Sequence, residues 1–171
     1  MAIFGPPNVE KARASGNIEH MLRAAKYTKD PAIAEAGRAA LTEHIDRLFK
    51  ELNSKNIRRL RLAREALVAI GPAARDRLIF ILEVGHVHRR QDATFVLGEM
   101  KDEAAVEPLC ESLRHTDALL RMLSAQALGK ISSPKATRAL RLACLDEDPR
   151  VADEARKALR KIPGGPLGVG G

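Results

Sequence analysis

The feature that most restricts how this chain can fold is a motif that returns at intervals of about 30 residues. Its clearest copy is Asp117–Ile131, DALLRMLSAQALGKI. There Leu120, Ser124, Ala127, Leu128 and Ile131 recur at three- and four-residue spacing and mark one face of an α-helix. The same frame fits Gly37-x-x-Ala40-Leu41, Ala63-x-x-Ala66-Leu67, Ala93-x-x-Val96-Leu97 and Ala155-x-x-Ala158-Leu159. The closing leucines, Leu41, Leu67, Leu97, Leu128 and Leu159, are 26, 30, 31 and 31 residues apart. A second apolar series precedes each copy: Met21 or Leu22, then Leu48, Leu78, Leu109 and Leu140, with Leu52, Leu82, Leu113 and Cys144 one turn further on. Each unit therefore reads as helix A, turn, helix B, turn. A helix pair of this size cannot bury its apolar face alone, so successive pairs must stack. The expected fold is all-α, a solenoid of about five helix pairs with a short N-terminal helix.

Start and stop signals divide the chain into three parts. Residues 1–16 read as a lead-in: Pro6-Pro7 is extended, Asn8 caps a short helix and Gly16 ends it, covering the open end of the first repeat. Residues 17–162 are the repeat array, with Asn17, Asp30-Pro31, Asp117, Ser133-Pro134 and Asp148-Pro149 as N-terminal caps. Those Asp and Ser residues are capping groups rather than catalytic ones. Residues 163–171, PGGPLGVGG, read as a flexible tail that neither continues a helix nor cradles a phosphate.

Composition narrows the chemistry. Aromatic residues make up 3% of the chain and there is no Trp, so the core must be Leu, Ala, Ile and Val. No apolar run approaches 18 residues and no signal-peptide core follows Met1-Ala2-Ile3-Phe4, which favours a soluble, cytoplasmic protein. Cys110 and Cys144 both fall on A helices and read as small buried hydrophobes, not as a disulfide or metal pair. Neither G-x-S-x-G, G-x-x-x-x-G-K-[ST], H-E-x-x-H nor C-x-x-C occurs.

The frame D-x-x-V-R-x-x-A-x-x-A-L-G-x-I, preceded by A-V-x-P-L, resembles the short HEAT repeats of the phycobilisome-lyase-like type. Repeat 4 carries it best, through Ala105-Val106-Glu107-Pro108-Leu109, Asp117, Leu120-Arg121, Ala127-Leu128-Gly129 and Ile131. Repeat 5 keeps Asp148-Pro149 but has Ala152 in place of the arginine; repeat 3 keeps Arg90 but has His86 in place of the aspartate. The resemblance implies a HEAT solenoid, a right-handed α-α superhelix, and a scaffold more often than an enzyme. It also implies a ladder in which Asp117 and Asp148 face Arg90 and Arg121 of the preceding repeats. Enzymes of the deoxyhypusine hydroxylase type share this kind of fold and hold iron through His-Glu dipeptides. This chain has only the reversed order, Glu19-His20 and Glu43-His44, both within one repeat. The turn histidines His86, His88 and His115 read as solvated groups rather than metal ligands. No residue matches a bilin-lyase activity, so no catalytic residue, cofactor or metal is expected.

The five repeats form an internal alignment, and an apolar residue in a column that is otherwise polar is informative. The column two after the frame alanine reads Ala39, Glu65, Phe95, Gln126, Lys157; the columns two and one before it contain Met122, and Leu62 and Leu123. In HEAT arrays such B-helix columns line the concave face. Leu62, Phe95, Met122 and Leu123 are thus the candidate partner-binding patch, with Glu65, Asp92, Glu99, Gln126 and Lys130 as a polar rim. The second candidate surface is the edge of A–B turns, carrying Lys26, Lys29, Lys55, Arg58, Arg59, Arg89, Arg90 and Arg114 with His86, His88 and His115. With a net charge of +7, this edge suits an acidic protein or a polyanion, but no aromatic residues alternate with the charges to stack bases.

The first functional expectation is a non-catalytic adaptor that binds a protein through its concave face, with weak self-association through the same patch. The alternative is a nucleic-acid or polyanion binder using Lys55, Arg58, Arg59, Arg89, Arg90 and Arg114. A bilin-lyase-like or metal-dependent enzyme comes third.

Overall fold

The computed structural model describes residues 6–163. The tail expected over 163–171 and the segment Met1–Phe4 lie almost wholly outside them. Among the described residues the chain is all-helical: ten α-helices, two short 3₁₀ turns and no strand. It divides into two compact units, Met1–Ile70 and Gly71–Gly171.

The first unit holds α1 (Val9–Ser15), α2 (Ile18–Ala25), α3 (Pro31–Glu51) and α4 (Ile57–Ile70). Asn8 Oδ1 accepts the Lys11 N–H at 2.8 Å, and Gly16 closes α1 in the left-handed conformation at φ 65°. Asn17 caps α2 through the His20 N–H at 2.9 Å, and Asp30 caps α3 through the Ala32 N–H at 2.9 Å with Pro31 at the first helical position. The apolar stripe Ala34, Gly37, Ala40, Leu41, Ile45 and Phe49 of α3 is buried, and α1, α2 and α4 pack on α3.

Helix α3 corrects the repeat layout. Helix B of repeat 1 and helix A of repeat 2 are one continuous helix of 21 residues. In the later repeats 11 or 12 residues separate the closing leucine of B from the anchor of the next A; between Leu41 and Leu48 there are only seven. The missing residues are those of the turn, and the intervening TEHIDR contains no Gly, Pro or cap to stop a helix. Along this continuous helix the buried stripe runs from Leu41 through Ile45 to Phe49, and the expected anchor Leu48 is only half-buried beside it.

The second unit is the regular part: α5 (Pro72–Val84), α6 (Val87–Met100), α7 (Val106–Ser112), α8 (Ala118–Ile131), α9 (Thr137–Ala143) and α10 (Pro149–Lys161). The 3₁₀ turns Glu103–Ala105 and Pro134–Ala136 lead into α7 and α9, capped by Asp102 and Ser133. Both leucine series are core: Leu78, Leu97, Leu109, Leu128 and Leu140 are inaccessible to solvent. The B helices stack in order, α6 on α8 and α8 on α10. Their close approach is written in the A-L-G frame. A Cβ added to Gly98 would lie 2.7 Å from the Cβ of Ala127, and one on Gly129 would lie 2.9 Å from that of Ala158. The glycine of one repeat makes room for the alanine of the next. Repeat 5, whose B helix is the last described, has Arg160 at that position.

One core residue is mismatched. Thr94 on α6 is fully buried and its hydroxyl has no hydrogen-bond partner. Thr94→Val removes a desolvated donor without changing shape. It should raise stability by about 1 kcal/mol, measured as an upward shift of the urea midpoint at unchanged slope.

Candidate partner-binding surfaces

The B-helix columns are not uniformly open. In the first unit, Leu62 on α4 is 50% exposed. In the second unit, Phe95 on α6 and Met122 and Leu123 on α8 are half-buried. Phe95 is less exposed than Ala39, Glu65, Gln126 and Lys157 in its own column. The reason is a roof: Lys130 Nζ lies 5.3 Å from the centre of the ring and is ion-paired with Glu99. The structure thus brings together one predicted anchor, Phe95, and two predicted rim residues, Glu99 and Lys130. It removes a third from the rim. Asp92 is 7% exposed and engaged, because a carboxylate that deep in a helix packed between neighbours must be satisfied internally.

The basic edge is thinner than its sequence. Lys55, Arg58, Arg59 and Arg114 are exposed, as are Lys26, Lys29, His86 and His88. Arg90 is half-buried and its Nε donates to the Gly85 carbonyl at 2.7 Å; Arg89 is half-buried and engaged as well. A long side chain beside the end of α5 finds an unsatisfied carbonyl before it finds solvent. Asn56 Oδ1 caps α4 by accepting the backbone N–H groups of Arg58 and Arg59 at 3.0 and 3.2 Å. These two cations therefore occupy a first helical turn without an acidic residue, where the helix dipole disfavours them.

The expected Asp–Arg ladder is built differently. Arg121 does not meet Asp148. Its Nε and Nη2 donate to the two oxygens of Asp146 at 2.8 and 2.9 Å, and its Nη1 donates to the carbonyls of His115 and Thr116 at 2.9 and 3.0 Å. This arginine reaches the turn itself, one step short of the cap, because only there do two carbonyls and a bidentate carboxylate converge. The Arg121 hydrogen bond holds the Asp146 carboxyl below its ordinary value. Asp148 caps α10 and pairs with Arg150, which lowers its pKa to about 2. Asp117 caps α8 through the Leu120 N–H at 2.7 Å and accepts from Gln91 rather than from Arg90. A pair the sequence did not reveal, Arg75 with Asp102, ties α5 to the turn before α7.

Among the described residues, no three His, Cys, Asp or Glu side chains converge as metal ligands. His115 spends Nδ1 on accepting the Asp117 N–H at 3.0 Å. Cys110 and Cys144 are free thiols and only half-buried, so they are not the core residues expected. Cys144 ends α9 and is more open than Leu52, Leu82 and Leu113, the buried leucines of its column. Burial pushes the Cys110 thiol up to about 11 and that of Cys144 upward, which suppresses the thiolate in both. No helix among the described residues is long and apolar enough to cross a membrane.

Most of the exposed large apolar groups of the second unit lie on A helices or just beyond them, Phe80 and Val84 on α5, Leu142 on α9 and Leu145 after it, with Leu119 on the B helix α8 as the exception. A signal was available. Two residues after the A anchor the repeats read Lys50, Phe80, Glu111, Leu142, a column polar in two rows and apolar in two.

These features define a helical-repeat protein whose surfaces, rather than an enclosed cavity, hold its distinctive side chains. Residues 76–160 match the family profile of HEAT repeats, and the chain is a HEAT-repeat protein. A search of curated proteins finds no match. Among solved structures the chain is similar to human deoxyhypusine hydroxylase in complex with glycerol, with a TM-score of 0.56 and 24% identity over 90% of this chain. It spans 65% of that protein's length. It is also similar to an engineered protein, with a TM-score of 0.54 and 19% identity over 92% of this chain and 83% of the other. A third likeness is to a designed armadillo-repeat protein in complex with the peptide (KR)4, with a TM-score of 0.53 and 13% identity over 93% and 87% of the two chains. At these identities the likeness is one of fold.

Proposed function

We propose that this chain is a non-catalytic, cytoplasmic HEAT-repeat adaptor of the short phycobilisome-lyase-like type. It binds a protein partner through its B-helix columns, with Phe95 as anchor and Met122 and Leu123 in the adjacent columns of the next repeat; Leu62, on α4 of the first unit, is a candidate contact of its own. The observation that carries this reading is Phe95 itself: an aromatic ring held at the surface under a Lys130–Glu99 pair. A lysine roof can swing aside for a partner, and an aromatic anchor with a charged surround is the common layout of an interface hot spot. The peptide-bound armadillo design lends support by fold alone.

A second reading rests on the unopposed cations at the start of α4. Arg58 and Arg59, with Lys55, would contact a polyanion, and Arg114 is the corresponding exposed cation of the second unit. One experiment separates the two. Affinity capture with the parent chain and with Phe95→Ala, washed in rising salt, should retain a protein partner at high salt. Phe95→Ala should weaken that capture by on the order of 1–3 kcal/mol when the affinity is measured. Capture that washes away with salt, is unchanged by Phe95→Ala and is lost on replacing Arg58 and Arg59 assigns function to the edge instead.

A further inference from the structure

We propose that the cavity between α1 and α2, in the first unit, binds a phosphate monoester group. The cavity has a volume of 260 Å³, near the lower bound of about 300 Å³ for small-ligand sites. Three of its lining side chains are cationic or can become so, Lys11, His20 and Arg23, and none is acidic. Lys11 and His20 have no carboxylate partner among the described residues, whereas Arg23 is already engaged, so the site rests on the first two. Nearby Arg13, outside the cavity, is instead matched by Glu10 and Glu43. The amides of Asn8 and Asn17, also in the wall, have their oxygens taken up by capping α1 and α2, so what they have left to offer a ligand is N–H. Ser15, the remaining polar residue of the wall, donates its hydroxyl to the Lys11 carbonyl at 2.8 Å, and a wall with cations and no carboxylate favours an anion. A wall that offers several donors suits the oxygens of a phosphate, which accept strongly and from several sides.

The opposite wall is apolar. Pro7 and Ala12 are buried, and Pro6 continues that side. A group with a short carbon stem fits such a wall better than a bare ion, which water would solvate more fully. The shared chemistry is an alkyl phosphate, either a small soluble ester or the headgroup of a phosphorylated lipid. This site is independent of the B-helix face and of the basic edge, and it survives if either of those readings fails.

The test uses the full chain, ¹⁵N-labelled, titrated with methyl phosphate at constant ionic strength. Backbone amides between Asn8 and Arg23 should shift saturably. Lys11→Ala and His20→Ala should each weaken binding on the order of tenfold, with unchanged melting because both side chains are exposed. A parallel arm measures sedimentation with phosphatidylcholine vesicles, with and without phosphatidic acid. Binding to the soluble ester assigns a small ligand. Binding only to the phosphatidic acid vesicles, lost in the same two variants, assigns a lipid headgroup. No saturable shift and no vesicle binding overturns the proposal, as does an effect that methanol or added sodium chloride reproduces, or that both variants retain in full.

Discussion

Replacing Asp146 with alanine should lower the stability of the second unit by about 3–5 kcal/mol, read from the urea midpoint. The expectation follows from what remains behind. Arg121 has a side chain only 8% exposed, and it loses two charge-assisted hydrogen bonds to a carboxylate that is itself 10% exposed. Two backbone carbonyls and a 3.4 Å contact to the largely solvated Glu147 are left to hold a buried cation. Asp148→Ala is the control two residues away. That carboxylate is a cap paired to a solvated arginine, and its loss should cost about 1 kcal/mol. Replacing both partners, as Arg121→Met with Asp146→Leu, should recover part of the loss, because it removes the orphaned charge while leaving the His115 and Thr116 carbonyls and the Asp148 N–H without these partners. The pH dependence has a definite sign. Asp146 has a lowered pKa in the folded state, so its contribution is full above the ordinary carboxylate range and is lost as the pH falls through the lowered value. The variant should therefore show a shallower acid unfolding than the parent. Equal losses for Asp146→Ala and Asp148→Ala would return the ladder to the cap position read from the sequence.

That correction shows where a sequence reading stops. The helical period, the caps at Asn8, Asn17, Asp30, Asp117, Ser133 and Asp148, and the two leucine series were legible because each is a local pattern with a fixed spacing. The fusion of α3 was also present in the spacing, as a gap of seven residues in place of 11 or 12. Averaging the repeats into one frame concealed it. The partner of Arg121 was not legible. Asp146 and Asp148 differ by two positions in a turn, and a flexible arginine reaches either; burial and two carbonyls decide between them. The surface was half legible. Column reasoning found Phe95, but it treated Lys130 as rim when the lysine lies over the ring. It also treated Asp92 as exposed, because a column gives chemistry at a position and not the depth of the helix that carries it. Restricting the search to B helices left out Phe80 and Leu142, although the same rule applied to the A helices singles them out.

Leu97→Ala and Phe95→Ala, two residues apart on α6, should separate core from surface in a single comparison. Leu97 is inaccessible to solvent on a helix packed between α5 and α8, and its truncation should cost about 2–5 kcal/mol. The neighbours cannot collapse far into the space. The Gly98–Ala127 approach already fixes how near α6 lies to α8, so much of the cavity should persist and the loss should fall toward the upper part of that range. Leu159→Ala, at 7% exposure in the last described helix, has packing partners on fewer sides and should cost less. Phe95 is half-buried where Leu97 is inaccessible. Its removal gives up one cation–π contact and part of a half-buried ring, about 1 kcal/mol, while releasing Lys130 to solvent beside Glu99. Thermal and urea unfolding of the three variants decide the matter. A Phe95→Ala loss as large as that of Leu97→Ala would place the ring in the core and withdraw it as an anchor. A small Phe95→Ala loss together with weakened partner capture would leave the ring with one role, contact with another molecule.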